Sequence, residues 1–326
     1  MGRKLKYAAA VMAVVVAGIY LNNTSLLAQH HGGRPALLAH RGIAQRFDEH
    51  GLTNDTCTAA RMLPPKHDYL ENTIRSMQAG FDAGADIVEL DVHPTTDGEF
   101  AVFHDWTLDC RTDGHGVTRE QTMASMKRLD IGHGYTADGG RTFPFRGKGV
   151  GLMPTLGEVL SAFPEKRLLI NVKSRDPSEG EKLASVLNAL PPNRRRQIMV
   201  YGGDAPIATL HKRAPEVLTT SRAAIKACLL HYIALGWTDV VPEACRNALI
   251  LLPVNLAPWL WGWPDRFVNR MSAADSAVFV LGPYEGGEFS TGVDTPELLN
   301  RLPTGYSGGI WTNEIEDIAR LVAARK

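Results

Sequence analysis

Apolar and polar positions along the chain alternate between two periods. Residues 36–39 form a short apolar run that ends at His40, Arg41 and Gly42, the pattern of a buried strand with polar groups at its tip. Leu70, Ile74, Met77 and Phe81 then recur at helical spacing, and Gly84 closes that helix. Residues 87–92 read as a second strand. The turn Thr96-Asp97-Gly98 leads into a third, 100–103, which runs into His104 and Asp105; Asp-Gly between apolar runs is a hairpin signal. From Trp106 to Pro154 periodicity is weak and glycine is dense, so this stretch is expected to be an insertion, or a lid over a site, after the second barrel strand.

Beyond Thr155 strands and helices alternate. Strands are predicted at 168–172, 198–201, 218–220, 249–254, 277–281 and 308–312, and helices at 181–190, 205–214, 223–235, 296–302 and 315–323. Alternation of this kind predicts a parallel sheet, and roughly eight strand positions in about 290 residues fit a closed (β/α)8 barrel of the TIM type. A doubly wound open sheet is the alternative fold, but no Gly-x-Gly-x-x-Gly follows the first strand.

The N-terminus departs from this pattern. Arg3, Lys4 and Lys6 precede an apolar run over residues 7–21 that breaks at Asn22 and Asn23, which predicts an export signal or an uncleaved signal anchor. Leu26, Leu27 and Ala28 make a poor cleavage site, so the anchor is the preferred expectation, with a polar linker from 22 to 34. On this reading residues 1–34 are anchor plus linker, residues 35–326 are one barrel domain, and that domain is periplasmic or otherwise outside the cytoplasm.

Lys plus Arg and Asp plus Glu both total 35. No large basic field exists to hold a nucleic-acid backbone, so nucleic acid is not an expected partner. Cys57, Cys110, Cys228 and Cys245 are even in number and lack Cys-x-x-Cys spacing; in an exported protein they read as two disulfides, with three pairings open, against the alternative of buried free thiols.

Barrels carry their reactive groups at the C-terminal ends of the strands, where the unusual residues of this chain fall. Glu89 and Asp91 are two apart on one strand, so both carboxylates leave the same face, and a hard cation with oxygen ligands, Mg2+ or Ca2+, would remove their repulsion. Asn171 and Lys173 repeat the spacing on a later strand and offer a neutral oxygen and a positive charge. His40 and His104 end two other strands as an acid–base pair, with Arg41 as a clamp for phosphate oxygens. The nine other histidines read as surface or packing residues, His93 being the one best placed to be an exception.

The motifs His40-Arg41-Gly42, Glu71-Asn72-Thr73, Gly84-Ala85-Asp86, Glu89-Leu90-Asp91-Val92, Thr96-Asp97-Gly98 and His104-Asp105 occur in that order, and the chain resembles the glycerophosphodiester phosphodiesterases. The dense match covers about residues 36 to 175, and Gly309-Ile310-Trp311-Thr312-Asn313 is similar to that family's last strand. The resemblance implies a β/α barrel, one divalent cation on Glu89 and Asp91, catalytic His40 and His104, phosphate contacts from Arg41 and Lys173, and a place for Glu71 in the substrate site. Asn171 stands where the family usually has Glu, which removes one negative charge from the metal's third corner and predicts weaker binding.

The reaction so implied is metal-dependent hydrolysis of a glycerophosphodiester, a small-molecule substrate, to glycerol 3-phosphate and an alcohol. One histidine, His40 by preference, takes a proton and the other delivers one; attack by the substrate's own glycerol hydroxyl would give a cyclic phosphate first. Two alternatives remain: phospholipase-D-like action on lysophospholipid or sphingolipid, prompted by the tryptophan-rich segment 258–264, and a catalytically silent phosphate-binding barrel. The barrel reading also pairs Cys57 with Cys110 and Cys228 with Cys245, since each pair joins segments it places close together.

Overall fold

A computed structural model of the chain describes residues 2–28, 33–53, 56–286 and 291–325. Nine strands occur among them: β1 (Ala36–Ala39), β2 (Ile87–Pro94), β3 (Phe100–Val102), β4 (Arg167–Val172), β5 (Ile198–Gly202), β6 (Leu218–Ser221), β7 (Leu249–Pro253), β8 (Ala277–Leu281) and β9 (Gly309–Thr312). All but β3 run parallel in the order β6-β5-β4-β2-β1-β9-β8-β7, and a bridge between Thr219 and Ala248 joins the two outer strands. The fold is the eight-stranded TIM-type barrel, with helices between successive strands. Strand β3 stands outside the ring as the antiparallel partner of β2, Val102 opposite Val92.

Period-two alternation divides each strand between two cores. Leu38, Ile87, Leu169, Met199, Leu249, Phe279 and Trp311 point inward and fill the barrel. Leu37, Val88, Leu168, Ile198 and Ile310 point outward and pack against helix residues such as Met77, Leu183, Leu210 and Ile318. Because residues directly after an inward-facing position two along must also face inward, this alternation aims His40, Glu89, Asp91, Asn171 and Tyr201 into the mouth.

The helix expected from Leu70 begins instead at Ile74 and runs to Asp82. Thr73 stops it from starting earlier, because its hydroxyl caps Ser76 N–H while the Ser76 hydroxyl accepts from Thr73 N–H. Leu70 joins a second core with Ala59, Met62, Phe103, Leu108, Met126 and Tyr135, which knits the segment after β1 to the glycine-rich stretch after β3. Disulfides Cys57–Cys110 and Cys228–Cys245 both form in the expected pairing. The first fastens the two halves of that second core.

Helix Arg3–Asn23 has no buried residue and is long and apolar enough to cross a membrane. The polar linker expected from residue 22 is not free chain. Asn22 and Asn23 complete the helix, and both side chains donate to the Trp237 carbonyl at 3.1 and 3.0 Å. Arg270 in turn donates to Asn23 Oδ1 at 3.0 Å and to the Asn22 carbonyl at 2.9 Å. The polarity that marks the segment as a linker supplies the bonds that dock it.

Candidate active site

The chain turns sharply after β1, with Arg41 and Gly42 both left-handed at φ 58° and 77°. A Cβ on Gly42 would lie 2.6 Å from the backbone of Ser76, so only glycine lets the turn sit against the helix that follows. The strained Arg41 is held by its own N–H to Glu89 Oε2 (3.1 Å) and by Asn72 N–H and Ser76 Oγ on its carbonyl. Asn72 is also left-handed, at φ 60°. Its side chain grips Asp91 twice, Nδ2 donating to Oδ2 at 3.0 Å and Oδ1 accepting from the backbone N–H at 3.1 Å.

These contacts bring all eight residues singled out in the sequence into one cluster. The Arg41 guanidinium lies between Glu71 Oε1 (2.9 Å) and Asp91 Oδ2 (3.1 Å). Lys173 Nζ is 3.7 Å from Asp91 Oδ1, and Asn171 Nδ2 donates to the same oxygen at 2.8 Å. His40 Nε2 lies 3.7 Å from Glu89 Oε2.

Each candidate catalytic imidazole has its Nδ1 pinned. Asn313 donates its amide nitrogen to Asp294 Oδ2 (2.7 Å), which turns Asn313 Oδ1 toward His40 Nδ1 at 2.6 Å. His40 must then carry its proton on Nδ1 and keep a lone pair on Nε2. His104 Nδ1 faces Asp105 Oδ1 at 2.7 Å, an arrangement that holds a proton better because the partner is charged. Burial and then the Arg41 charge lower the His40 imidazole to about 3. Burial, Arg41 and Lys173 also lower His104, while Asp91 and Asp105 pull the other way.

Sequence reading gave no role to Arg111, Tyr201 and Asp294, and none to Asp105 and Asn313 although both lie in the quoted motifs. Arg111 is buried and donates to Asp105 Oδ2 (2.9 Å), Thr58 Oγ1 (2.5 Å) and Tyr135 Oη (2.5 Å), and ion-pairs Glu71 Oε2 at 2.9 Å. Only its neighbour Cys110 hinted at a fixed position. Tyr201 pairs in register with Asn171 and donates its hydroxyl to Glu89 Oε1 at 2.8 Å; its place two residues after an inward Met199 was the available signal. His93 is buried beneath the site, with Nε2 3.2 Å from the His104 carbonyl and its ring edge-on to Trp106.

Both oxygens of Glu71 are taken by guanidiniums. Burial would raise its acid, but Arg111 and Arg41 hold it below the usual range. Asp91 is likewise held well down, burial being outweighed by Arg41 and Lys173, whereas burial and the neighbouring Asp91 charge push Glu89 well up. Four carboxylates (Glu71, Glu89, Asp91, Asp105) face three fixed cations (Arg41, Arg111, Lys173). The surplus negative charge settles on Glu89, which needs either a proton or a cation.

This charge surplus, with donors that are all oxygens, fits a hard divalent cation held by Glu89 and Asp91. The third corner is weaker. Among the described residues no set of three His, Cys, Asp or Glu side chains is arranged to hold a metal ion, and Asn171 contributes an amide whose second atom is a neutral oxygen.

Residues 40–239, more than half the chain, match the glycerophosphoryl diester phosphodiesterase family. The chain belongs to that family. A glycerophosphodiester phosphodiesterase of Caldanaerobacter subterraneus is 34% identical over 122 residues, 36% of this chain and 46% of that protein. The chain spans under half the length of the first curated relatives that it matches. Among solved structures, a Mycobacterium tuberculosis glycerophosphoryl diester phosphodiesterase domain superposes with a TM-score of 0.63 at 17% identity, covering 89% of this chain and 99% of that one. An Oleispira antarctica phosphodiesterase, solved with its product sn-glycerol-3-phosphate, gives 0.56 at 18% identity, covering 89% and 97%. These likenesses extend the family's barrel fold across the residues beyond 239.

Proposed function

We propose that this family member hydrolyses glycerophosphodiesters to glycerol 3-phosphate and an alcohol. The observation that carries the reading is the pair of imidazoles, each anchored through Nδ1, His40 on Asn313 and His104 on Asp105, in a cluster where both feel the charge of Arg41. His40, neutral and with a lone pair on Nε2, is the base that takes a proton from the attacking hydroxyl. His104, whose proton is steadied by Asp105, is the acid that returns one to the leaving alcohol. Arg41 and Lys173 hold the phosphate oxygens, and Glu71, locked between Arg41 and Arg111, fixes the angle of the clamp. Glu89 and Asp91, with Asn171 as a weak third ligand, are the residues to hold Mg2+ or Ca2+. That ion supplies charge neutralisation at phosphorus when bound.

Helix Arg3–Asn23 supports an uncleaved signal anchor, with residues 35–326 on the outer side of the membrane, since Arg3, Lys4 and Lys6 favour the cytoplasmic face. The two disulfides support an oxidising compartment. A second reading, cleavage of intact lysophospholipid or sphingolipid, is favoured by one observation, the 80% exposure of Trp259 on a barrel with such a helix.

The test is release of choline from glycerophosphocholine, with glycerol 3-phosphate as the other product, and from lysophosphatidylcholine, with the acylated glycerol phosphate as the other product, by the full chain with and without chelator. Release from the deacylated substrate, lost on chelation, is expected. Choline release from the acylated substrate alone would favour the second reading, and full activity in chelator would remove the metal from the scheme.

A further inference from the structure

We propose that one side of the barrel lies against the bilayer, where the helix Arg222–Leu235, the turn Gly236–Thr238 and the turn Ala257–Trp259 form a lipid-facing surface. The inference rests on reading helix Arg3–Asn23 as a membrane anchor. It adds a second, independent contact between the folded domain and lipid.

Helix Arg222–Leu235 buries only Cys228 and Tyr232, and its exposed lysine and arginine, Lys226 and Arg222, stand in its first two turns, so the outer face of its second half carries neither. Leu230, Ile233 and Leu235 are 56, 49 and 46% exposed, whereas a barrel helix ordinarily turns polar residues to water. Three tryptophans extend the same surface: Trp237 and Trp261 are 40 and 37% exposed and Trp259 is 80% exposed. Two of them are joined to the helix, because Trp261 Nε1 donates to the Ile233 carbonyl at 2.8 Å and Trp237 Nε1 to the Ala234 carbonyl at 3.1 Å, and Trp259 is two residues before Trp261. An apolar, tryptophan-rich patch of this kind marks a membrane or protein interface.

The anchor decides between those two occupants. Its C-terminal residues Asn22 and Asn23 both donate to the carbonyl of Trp237, a member of the patch. Arg270 ties Asn22 and Asn23 to the carbonyl of Gly236 and the hydroxyl of Tyr232 beneath it. Further along, Ser25 Oγ accepts from Asp265 N–H, and Arg266 donates to the Thr24 and Leu27 carbonyls. The bonded residues begin immediately after the apolar run ends at Leu21, the depth at which a spanning helix leaves the hydrocarbon. The patch is therefore held at the headgroup level, where Trp side chains partition and where Leu230 and Ile233 can enter the acyl boundary.

The helix Arg3–Asn23 contains no tryptophan, so tryptophan fluorescence reports on the barrel alone. The full chain is reconstituted into vesicles of phosphatidylcholine and phosphatidylglycerol, with and without acyl chains brominated near the headgroup. Brominated lipid is expected to quench the wild type strongly, and the variant with Trp237→Phe, Trp259→Phe and Trp261→Phe to lose at least about half of that quenching while keeping its melting temperature. Equal quenching in both proteins, or none in either, with the chain still resisting alkaline carbonate extraction, overturns the docking surface and leaves the anchor standing. Release of the chain by carbonate overturns the anchor reading, and the docking surface with it. Chain-to-chain crosslinking at Trp259→Cys with no lipid quenching assigns the patch to a second copy and also overturns the proposal.

Discussion

Asn171 donates its side-chain amide to Asp91 across neighbouring strands β4 and β2, 2.8 Å from Nδ2 to Oδ1. In the proposed metal site, the bond places a neutral group where a carboxylate would share the cation with Glu89 and Asp91. The proposed site is then short of one negative charge. Asn171→Glu should tighten Mg2+ or Ca2+ binding by about tenfold or more, and Asn171→Ala should weaken it. Calorimetric titration of the purified chain decides this; affinity unchanged in both variants would show that Asn171 is no ligand. Faster turnover need not follow, because a more neutralised cation polarises phosphate less.

Asp105 Oδ1 lies 2.7 Å from His104 Nδ1, and in the proposed mechanism it positions that ring. Asp105→Asn keeps the shape but removes the charge that steadies the proton on the ring, so kcat should fall about tenfold to a hundredfold. The alkaline limb of the rate profile, where a general acid loses its proton, should move to lower pH at the same time, because the carboxylate that raises His104 is gone. A fall in kcat with an unmoved pH profile would make Asp105 a structural residue only.

Arg111 is the residue on which the second core meets the site. It serves Glu71, Asp105, Thr58 and Tyr135 at once, and the disulfide Cys57–Cys110 fixes both its chain neighbour and that of Thr58. Opening this bridge removes a constraint across a separation of 53 residues, worth on the order of 4 kcal/mol by the loop-entropy relation. Cys57→Ser with Cys110→Ser should therefore lower the melting temperature more than loss of Cys228–Cys245, whose separation is 17, and should also lower kcat. Thermal melts and turnover measured on both double variants check the order; the reverse order, or unchanged turnover in the first, would contradict it.

Much of this arrangement was legible in the sequence. Strand ends were marked because an apolar run interrupted by His40 or His104 has no packing reason to end in an imidazole, and the spacings Glu89–Asp91 and Asn171–Lys173 impose a shared face whatever the surroundings. What stayed hidden depends on contacts distant along the chain. Arg111 lies in a stretch without periodicity, and its role exists only because the second core folds it back on Glu71, 40 residues earlier by their numbering. Tyr201 looked like one more strand aromatic until register set it beside Asn171. The start of the helix at Ile74 rather than Leu70 was set by the Thr73–Ser76 cap, a local signal that hydrophobic spacing alone overrode. The docking of residues 22–27 could not be read, since Arg270 and Trp237 lie more than 200 positions away.

Acid stability offers a test of the buried imidazoles. Burial lowers His40 to about 3 and His93 to about 4, from an ordinary 6.5. In that window the unfolded chain binds protons that the folded chain refuses, so stability present above about pH 6.5 is lost as pH falls, by up to about 1.4 kcal/mol per pH unit for each proton. Glu89, held up by burial and Asp91, works in the opposite sense, so the comparison must isolate one group. His93→Gln should flatten the fall of melting temperature between about pH 6.5 and 4. Parallel curves for variant and wild type would mean that His93 titrates normally.

The central claim is that His40 and His104 together cleave the bond between phosphorus and the head-group alcohol of a glycerophosphodiester. Its most direct test is a 31P NMR time course of the full chain with glycerophosphocholine and added Mg2+ or Ca2+. For the wild type, the diester resonance should give way to glycerol 3-phosphate, while His40→Ala and His104→Ala, folded by circular dichroism, should each be slower by at least about a hundredfold. Choline phosphate as the product, or undiminished conversion by either histidine variant, would contradict the account.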